Sequence, residues 1–128
     1  MKILLDTHTF LWWISNDHQL SETARQLISE SMHCVHWSAA NSWEVAIKYN
    51  LGRLPLPERP EVFIPQELKK NRIDSIPVKD IHAFYAGALP RYHKDPFDRM
   101  LIAQAQTESL VLLSNDSILQ QYDVQVTW

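Results

Sequence analysis

A chain of 128 residues, 45% hydrophobic and 21% charged, reads as one globular domain (1–128) that can bury its own core, and its composition excludes a disordered chain. A formal net charge of −3 disfavours a protein that coats nucleic acid through general basicity. The single cysteine, Cys34, excludes a disulfide framework and a cysteine-built zinc site; with no leader before Ile3 and no membrane-length apolar run, the expected compartment is the cytoplasm.

The first element is a short apolar run, Ile3-Leu4-Leu5, that stops at Asp6. Such a run reads as a buried strand with Asp6 at its C-terminal tip. Thr7 is the expected cap of a first helix, in which Phe10, Leu11, Trp13 and Ile14 fall at helical spacing. After the turn Ser15-Asn16-Asp17, Ser21 is the expected N-cap of a second helix reaching about Ser31. Cys34 to Trp37 reads as a second strand. Ser38 caps a third helix, Ala39 to Leu51, closed by Gly52 in the left-handed conformation, with Trp43, Ile47 and Leu51 on one face. Leu54 to Pro65 holds four of the seven prolines and reads as a loop leading into a helix that ends near Asn71.

Ile73 to Val78 fits a third strand with Pro77 at its end or edge. Lys79 to Leu89 reads as a helix with Ile81, Phe84, Tyr85 and Ala88 toward the core. Asp95 caps a further helix, with Pro96 at its first position, running to about Glu108. Leu110 to Leu113 is a fourth strand with Ser114-Asn115-Asp116 at its tip, and a short helix, Ser117 to Gln121, leads to a last strand at Val124 to Val126. Strands alternating with helices give an α/β fold: three layers, α/β/α, around a mainly parallel sheet.

In open parallel sheets, ligands bind beyond the carboxyl ends of the strands. Asp6 and Asp116 end strands, Glu44 lies about two turns into the third helix, and Asp98 lies in the first turn after Pro96, with Asp95 beside it. Carboxylates converging there repel one another unless protonated or bridged by cations. Oxygen-only ligands suit magnesium or manganese rather than zinc. Such ions lower the pKa of a bound water and stabilise the attacking and leaving oxygens of phosphodiester cleavage. Each acid also has an ordinary explanation as a helix cap or a solvated residue, and Lys48 stands four residues from Glu44, ready to pair with it.

Four blocks carry a family resemblance: Leu4-Leu5-Asp6-Thr7-His8-Thr9-Phe10-Leu11-Trp12, Ser42-Trp43-Glu44-Val45-Ala46-Ile47-Lys48, Asp95-Pro96-Phe97-Asp98-Arg99-Met100-Leu101-Ile102-Ala103-Gln104-Ala105 and Ser114-Asn115-Asp116. In this order, and over essentially the whole chain, the sequence resembles PIN domains, closest to the VapC-like ribonuclease toxins of type II toxin–antitoxin systems. The resemblance implies a metal-dependent endoribonuclease, usually dimeric, inhibited by a cognate antitoxin. By position it implies Asp6, Glu44, Asp98 and Asp116 as catalytic and metal-binding acids. Asp95 stands as an alternative to Asp98, or as a cap or outer-sphere partner. Ser114 stands where the family often has threonine, and Thr7 places a second hydroxyl near the site.

Lys48, His93, Lys94 and Arg99 are candidate contacts to RNA phosphates, with pairing to a nearby acid the alternative for Arg99. His8 reads as a packing or capping residue within reach of the site. His33, Cys34 and His36 do not read as a zinc site, because Cys34 and His36 share a strand face and His33 points away. Trp12, Trp13 and Trp43 read as core. Trp12 is out of phase with its apolar neighbours, so an apolar surface with Leu54, Leu56, Val62 and Phe63 is the expected groove for an antitoxin helix. Two rivals remain. An aspartyl-nucleophile phosphotransferase usually carries a second Asp two residues on, where this chain has His8. A non-catalytic PIN-like binding module would lack one of the four acids, and all four are present.

Overall fold

The apolar runs set the architecture. The computed structural model describes residues 1–30 and 34–128. Five strands are described: β1 (Ile3–Leu5), β2 (Val35–Ser38), β3 (Asp74–Ile76), β4 (Val111–Leu113) and β5 (Val126–Thr127). They form one sheet in the order β3-β2-β1-β4-β5, and every described pairing is parallel. Parallel neighbours need long crossovers. These carry α1 (Thr7–Ser15), α2 (Glu22–Glu30), α3 (Ala39–Asn50), α4 (Pro60–Lys70), α5 (Asp80–Ala88) and α6 (Pro96–Glu108).

Successive strand residues face opposite sides, so β1 feeds two cores. Ile3 and Leu5 pack with Phe10, Ala24, Trp37, Val45 and Ile64, while Leu4 packs with Leu101, Ile102, Leu112 and Leu119. The result is the expected three-layer α/β/α fold. No helix among the described residues is long and apolar enough to cross a membrane.

β1 is central, with β2 on one side and β4 on the other. The strand order reverses there, which opens a crevice at the carboxyl edge. Register pairs Leu5 with Leu113 and places Asp6 next to Ser114. Local chemistry then aims the helices. Ser38 accepts the Ala40 N–H (3.0 Å), and Asn41 reaches back to accept the Ser38 N–H (2.9 Å), which fixes the start of α3. Gly52, at φ +72°, sits left-handed just past the end of that helix and donates its N–H to Tyr49 O (3.0 Å).

Several local expectations are corrected. Asp6, not Thr7, caps α1, accepting the Thr9 N–H at 2.8 Å. The proline-rich segment turns helical at Pro60, and Pro65 lies inside α4. Pro60 occupies a first-turn position that needs no N–H donor, and Pro65, midway along α4, removes one helical bond on the exposed side. β3 is shorter than expected, and β5 begins at Val126 rather than Val124. Ser31 and His33 lie outside the described residues, and His36 meets Ile3 O through Nδ1 at 3.1 Å.

The largest correction concerns α5. Ile81, Phe84 and Tyr85 face solvent, Phe84 at 74% exposure, and the buried residues are His82 and Ala86. His82 is tolerated inside because Nδ1 accepts the Lys79 N–H (2.9 Å) and Nε2 meets Glu108 (2.9 Å). Trp43, at 64% exposure, is likewise not core, and Ile47 and Leu51 are exposed beside it.

Candidate active site

Two strand tips, β1 and β4, together with α1, α3 and the start of α6, deliver side chains to one hollow of about 470 Å³. Its lining includes Asp6, Glu44, Asp95, Asp98 and Asp116, with Lys48, Thr7, His8, Trp12, Asn115 and Ser117. All five acids read from the sequence therefore meet at one place. Five carboxylates face a single lysine.

Each acid is held by a neighbour. Asp6 is buried; its Oδ1 caps α1 and its Oδ2 accepts the Ser114 hydroxyl. Ser114 Oγ in turn accepts the Asp116 N–H at 3.1 Å, which ties the tips of β1 and β4 together. Glu44 is buried on α3, where Oε1 accepts the Thr7 hydroxyl (2.5 Å) and Oε2 accepts Lys48 Nζ (2.7 Å). Asn41 Nδ2 donates to Thr7 Oγ1 at 2.9 Å. Asp116 Oδ1 caps the last helical turn, Ser117–Gln121, through the Ile118 N–H (3.1 Å).

The two neighbouring acids divide their work. Asp95 Oδ1 accepts the N–H groups of Phe97 (2.9 Å) and Asp98 (3.0 Å), the cap expected of it. Asp98 Oδ2 instead faces His93 Nε2 at 3.1 Å. Burial pushes the Asp98 carboxyl up to about 6, with Asp95 and then Asp116 adding repulsion and His93 opposing the rise. The charged form of Asp98 is thus disfavoured where it stands, and a cation beside it would relieve that.

That discomfort is the test of whether a divalent ion fits. Among the described residues, no three His, Cys, Asp or Glu side chains already stand arranged to hold an ion. The reason is visible in the contacts, because like charges spread apart and each takes a protein donor instead. The donor set is all oxygen, crowded and strongly anionic, which suits a hard cation such as magnesium or manganese. Asp6, Glu44, Asp98 and Asp116 fit such an ion in kind.

The basic candidates fare differently. Lys48 lines the hollow, and Lys94 is exposed near it. Arg99 is withdrawn from any phosphate: it donates to Pro90 O (2.7 Å), Leu89 O (3.0 Å), Ala86 O (3.1 Å) and the Tyr122 hydroxyl (3.3 Å). Those carbonyls lie at and just past the C-terminal end of α5, which draws a cation. His93 is committed as well, since both ring nitrogens have protein partners, Asp98 and Tyr122.

Sequence reading missed Asn41 and Tyr122, which support the site from behind. Asn41 was visible as the third residue after Ser38; Tyr122 gave no local signal. Trp12 turns to the acidic hollow, with its ring 5.8 Å from His8 and 5.8 Å from Trp128, rather than to the expected groove. The groove itself exists between α1 and α4, about 450 Å³, lined by Leu11, Ile14, Leu54, Leu56 and Phe63.

Comparison with known proteins bears on the family and the fold. Ribonuclease VapC22 of Mycobacterium tuberculosis is 29% identical over 94% of this chain and 91% of its own. Ribonuclease VapC16 of the same organism is 30% identical over half of this chain, and the match spans 45% of that relative. Among solved structures, DNA-bound VapBC from Salmonella typhimurium superposes with a TM-score of 0.74, covering 99% of this chain and 97% of that one at 18% identity. The sequence profile of the PIN domain matches residues 3–125. With that match spanning nearly the whole chain, and an acidic crevice at the switch point of a parallel sheet, the chain belongs to the PIN domain family.

Proposed function

We propose that this chain is a magnesium- or manganese-dependent endoribonuclease, the toxin of a type II toxin–antitoxin pair acting in the cytoplasm. The observation that carries the reading is the convergence of Asp6, Glu44, Asp98 and Asp116 on one hollow. The ribonuclease names of the relatives support the cleavage, and a fold shared with a toxin–antitoxin complex from Klebsiella pneumoniae supports the toxin role.

Asp6, Glu44, Asp98 and Asp116 would hold the ion. Bound there, a divalent cation supplies an activated water and positive charge at the scissile phosphate. The chain's own side chains do the rest. Ser114 and the Thr9 N–H hold the Asp6 carboxylate on the rim of β1. Thr7, backed by Asn41, holds Glu44. Lys48 neutralises part of the charge on Glu44 and stands where an RNA phosphate would approach, with Lys94 outside it. No side chain in the hollow is required as a nucleophile.

The α1–α4 groove suits the apolar face of an antitoxin helix. The exposed aromatic and aliphatic residues of α3 (Trp43, Ile47) and of α5 (Ile81, Phe84, Tyr85) suit a second copy of the chain. Sedimentation of the chain should give a dimer, and Phe84→Glu should weaken that dimer by about 30-fold or more, the effect of losing a buried aromatic anchor. An unchanged association constant would place the dimer elsewhere.

Expression of the chain alone should arrest bacterial growth, and co-expression of a cognate antitoxin should relieve the arrest. Normal growth with soluble, RNA-cleaving protein would remove the toxin role and leave the nuclease standing.

A further inference from the structure

One part-buried polar chain behind the site, Arg99–Tyr122–His93, has no part in the chemistry above. It starts at the carboxyl end of α5 and ends on Asp98. Arg99 Nη1 lies 3.3 Å from the Tyr122 hydroxyl, which lies 2.7 Å from His93 Nδ1, and His93 Nε2 lies 3.1 Å from Asp98 Oδ2. Tyr122 is buried and does not line the acidic hollow.

The donors and acceptors leave one consistent assignment. A guanidinium only donates, so the Tyr122 oxygen accepts from Arg99. Its hydroxyl hydrogen then points to His93 Nδ1, which must accept it. The imidazole proton therefore sits on Nε2 and is donated to Asp98 Oδ2.

We infer that His93, locked by Tyr122 and Arg99, is a positioning residue that engages Asp98 Oδ2 and presents Oδ1 to a divalent cation in the hollow. This rests on the metal reading of the site. The physical logic is that of outer-shell hydrogen bonds around metal ligands: they fix carboxylate rotation before the ion arrives, and losing them weakens metal affinity by about 10–100-fold. The anchor is stiff because Arg99 is also bound to Pro90 O, Leu89 O and Ala86 O, so the orientation of Asp98 is referred to the end of α5.

The test is Mn²⁺ affinity by electron paramagnetic resonance, with melting temperature measured in parallel, on wild type, His93→Ala, His93→Gln, Tyr122→Phe and Asp98→Asn. His93→Ala should weaken Mn²⁺ binding by about 10-fold or more. Tyr122→Phe, which never touches the hollow, should weaken it severalfold. His93→Gln, whose amide nitrogen can occupy the place of Nε2, should restore most of the affinity. In the metal-free protein, the Nδ1 resonance of His93 should shift on Tyr122→Phe. Unchanged Mn²⁺ affinity in His93→Ala and Tyr122→Phe, with only a lower melting temperature, would make the chain of contacts purely structural and overturn the inference. If wild type bound no Mn²⁺, or Asp98→Asn bound it equally well, the metal reading would fall and this inference with it.

Discussion

Asp6→Asn should lower RNA cleavage by about a thousandfold or more while the protein stays folded. The size follows from the role. Electrostatic stabilisation by a bound cation is worth several kcal/mol, and each ~1.4 kcal/mol is tenfold in rate. Asp6 is the most buried strand-tip acid, and its exchange for a neutral amide removes a full negative charge from the hollow. The fold should survive because asparagine is as good an N-cap as aspartate: its amide oxygen can accept the Thr9 N–H, and its amide nitrogen can donate to Ser114 Oγ. Steady-state cleavage of a labelled RNA, with circular dichroism melting beside it, checks both halves. Wild-type cleavage by a folded Asp6→Asn protein would remove the acid cluster from the chemistry.

Asp98→Asn should do something less intuitive and stabilise the metal-free protein. The Asp98 carboxyl rises from 3.8 to about 6 on folding, chiefly through burial. A raised carboxyl binds more protons folded than unfolded, so stability falls as pH climbs from about 4 to about 6, and the penalty is complete above that. Two pKa units correspond to about 3 kcal/mol at most, and screening at this partly exposed group reduces it to about 1–2 kcal/mol. Asparagine removes the penalty and still accepts from His93 Nε2. The variant should therefore melt about 3–8 °C higher at pH 7.5, with the gain vanishing below pH 4. Magnesium should invert the order. At a hundred times its dissociation constant it stabilises wild type by about 2.7 kcal/mol, and Asp98→Asn gains much less. Equal melting temperatures across pH would show that burial of the charged Asp98 carboxylate costs the fold nothing.

Local signals were the legible ones. The apolar run ending at Asp6, the cap at Ser38, the Asp95-Pro96 helix start and the left-handed Gly52 are each decided by a few adjacent residues, and the structure has all four. Asp6 and Asp116 converge because the strand tips of a parallel sheet share one edge, and Glu44 from α3 and Asp95 and Asp98 from the start of α6 join them there. What failed depends on distant partners. Phe84 and Tyr85 carry a core-like pattern on α5, yet α6 receives His82 and Ala86 instead, and the hydrophobic stripe faces outward. Apolar periodicity marks a surface to be covered without saying what covers it. Pro65 was tolerated because its lost bond lies on an exposed turn. The His93–Tyr122 contact spans 29 positions, and Arg99 turns from the hollow to three backbone carbonyls. No spacing rule reports either.

The central claim is that the hollow works through a divalent cation held by carboxylates. Purified, partner-free chain should be stripped with EDTA, dialysed, and assayed on a labelled single-stranded RNA with and without added Mg²⁺ or Mn²⁺. Cleavage should be lost after stripping and return with either ion, and Ca²⁺ should compete without supporting it. Undiminished cleavage in EDTA would contradict the account.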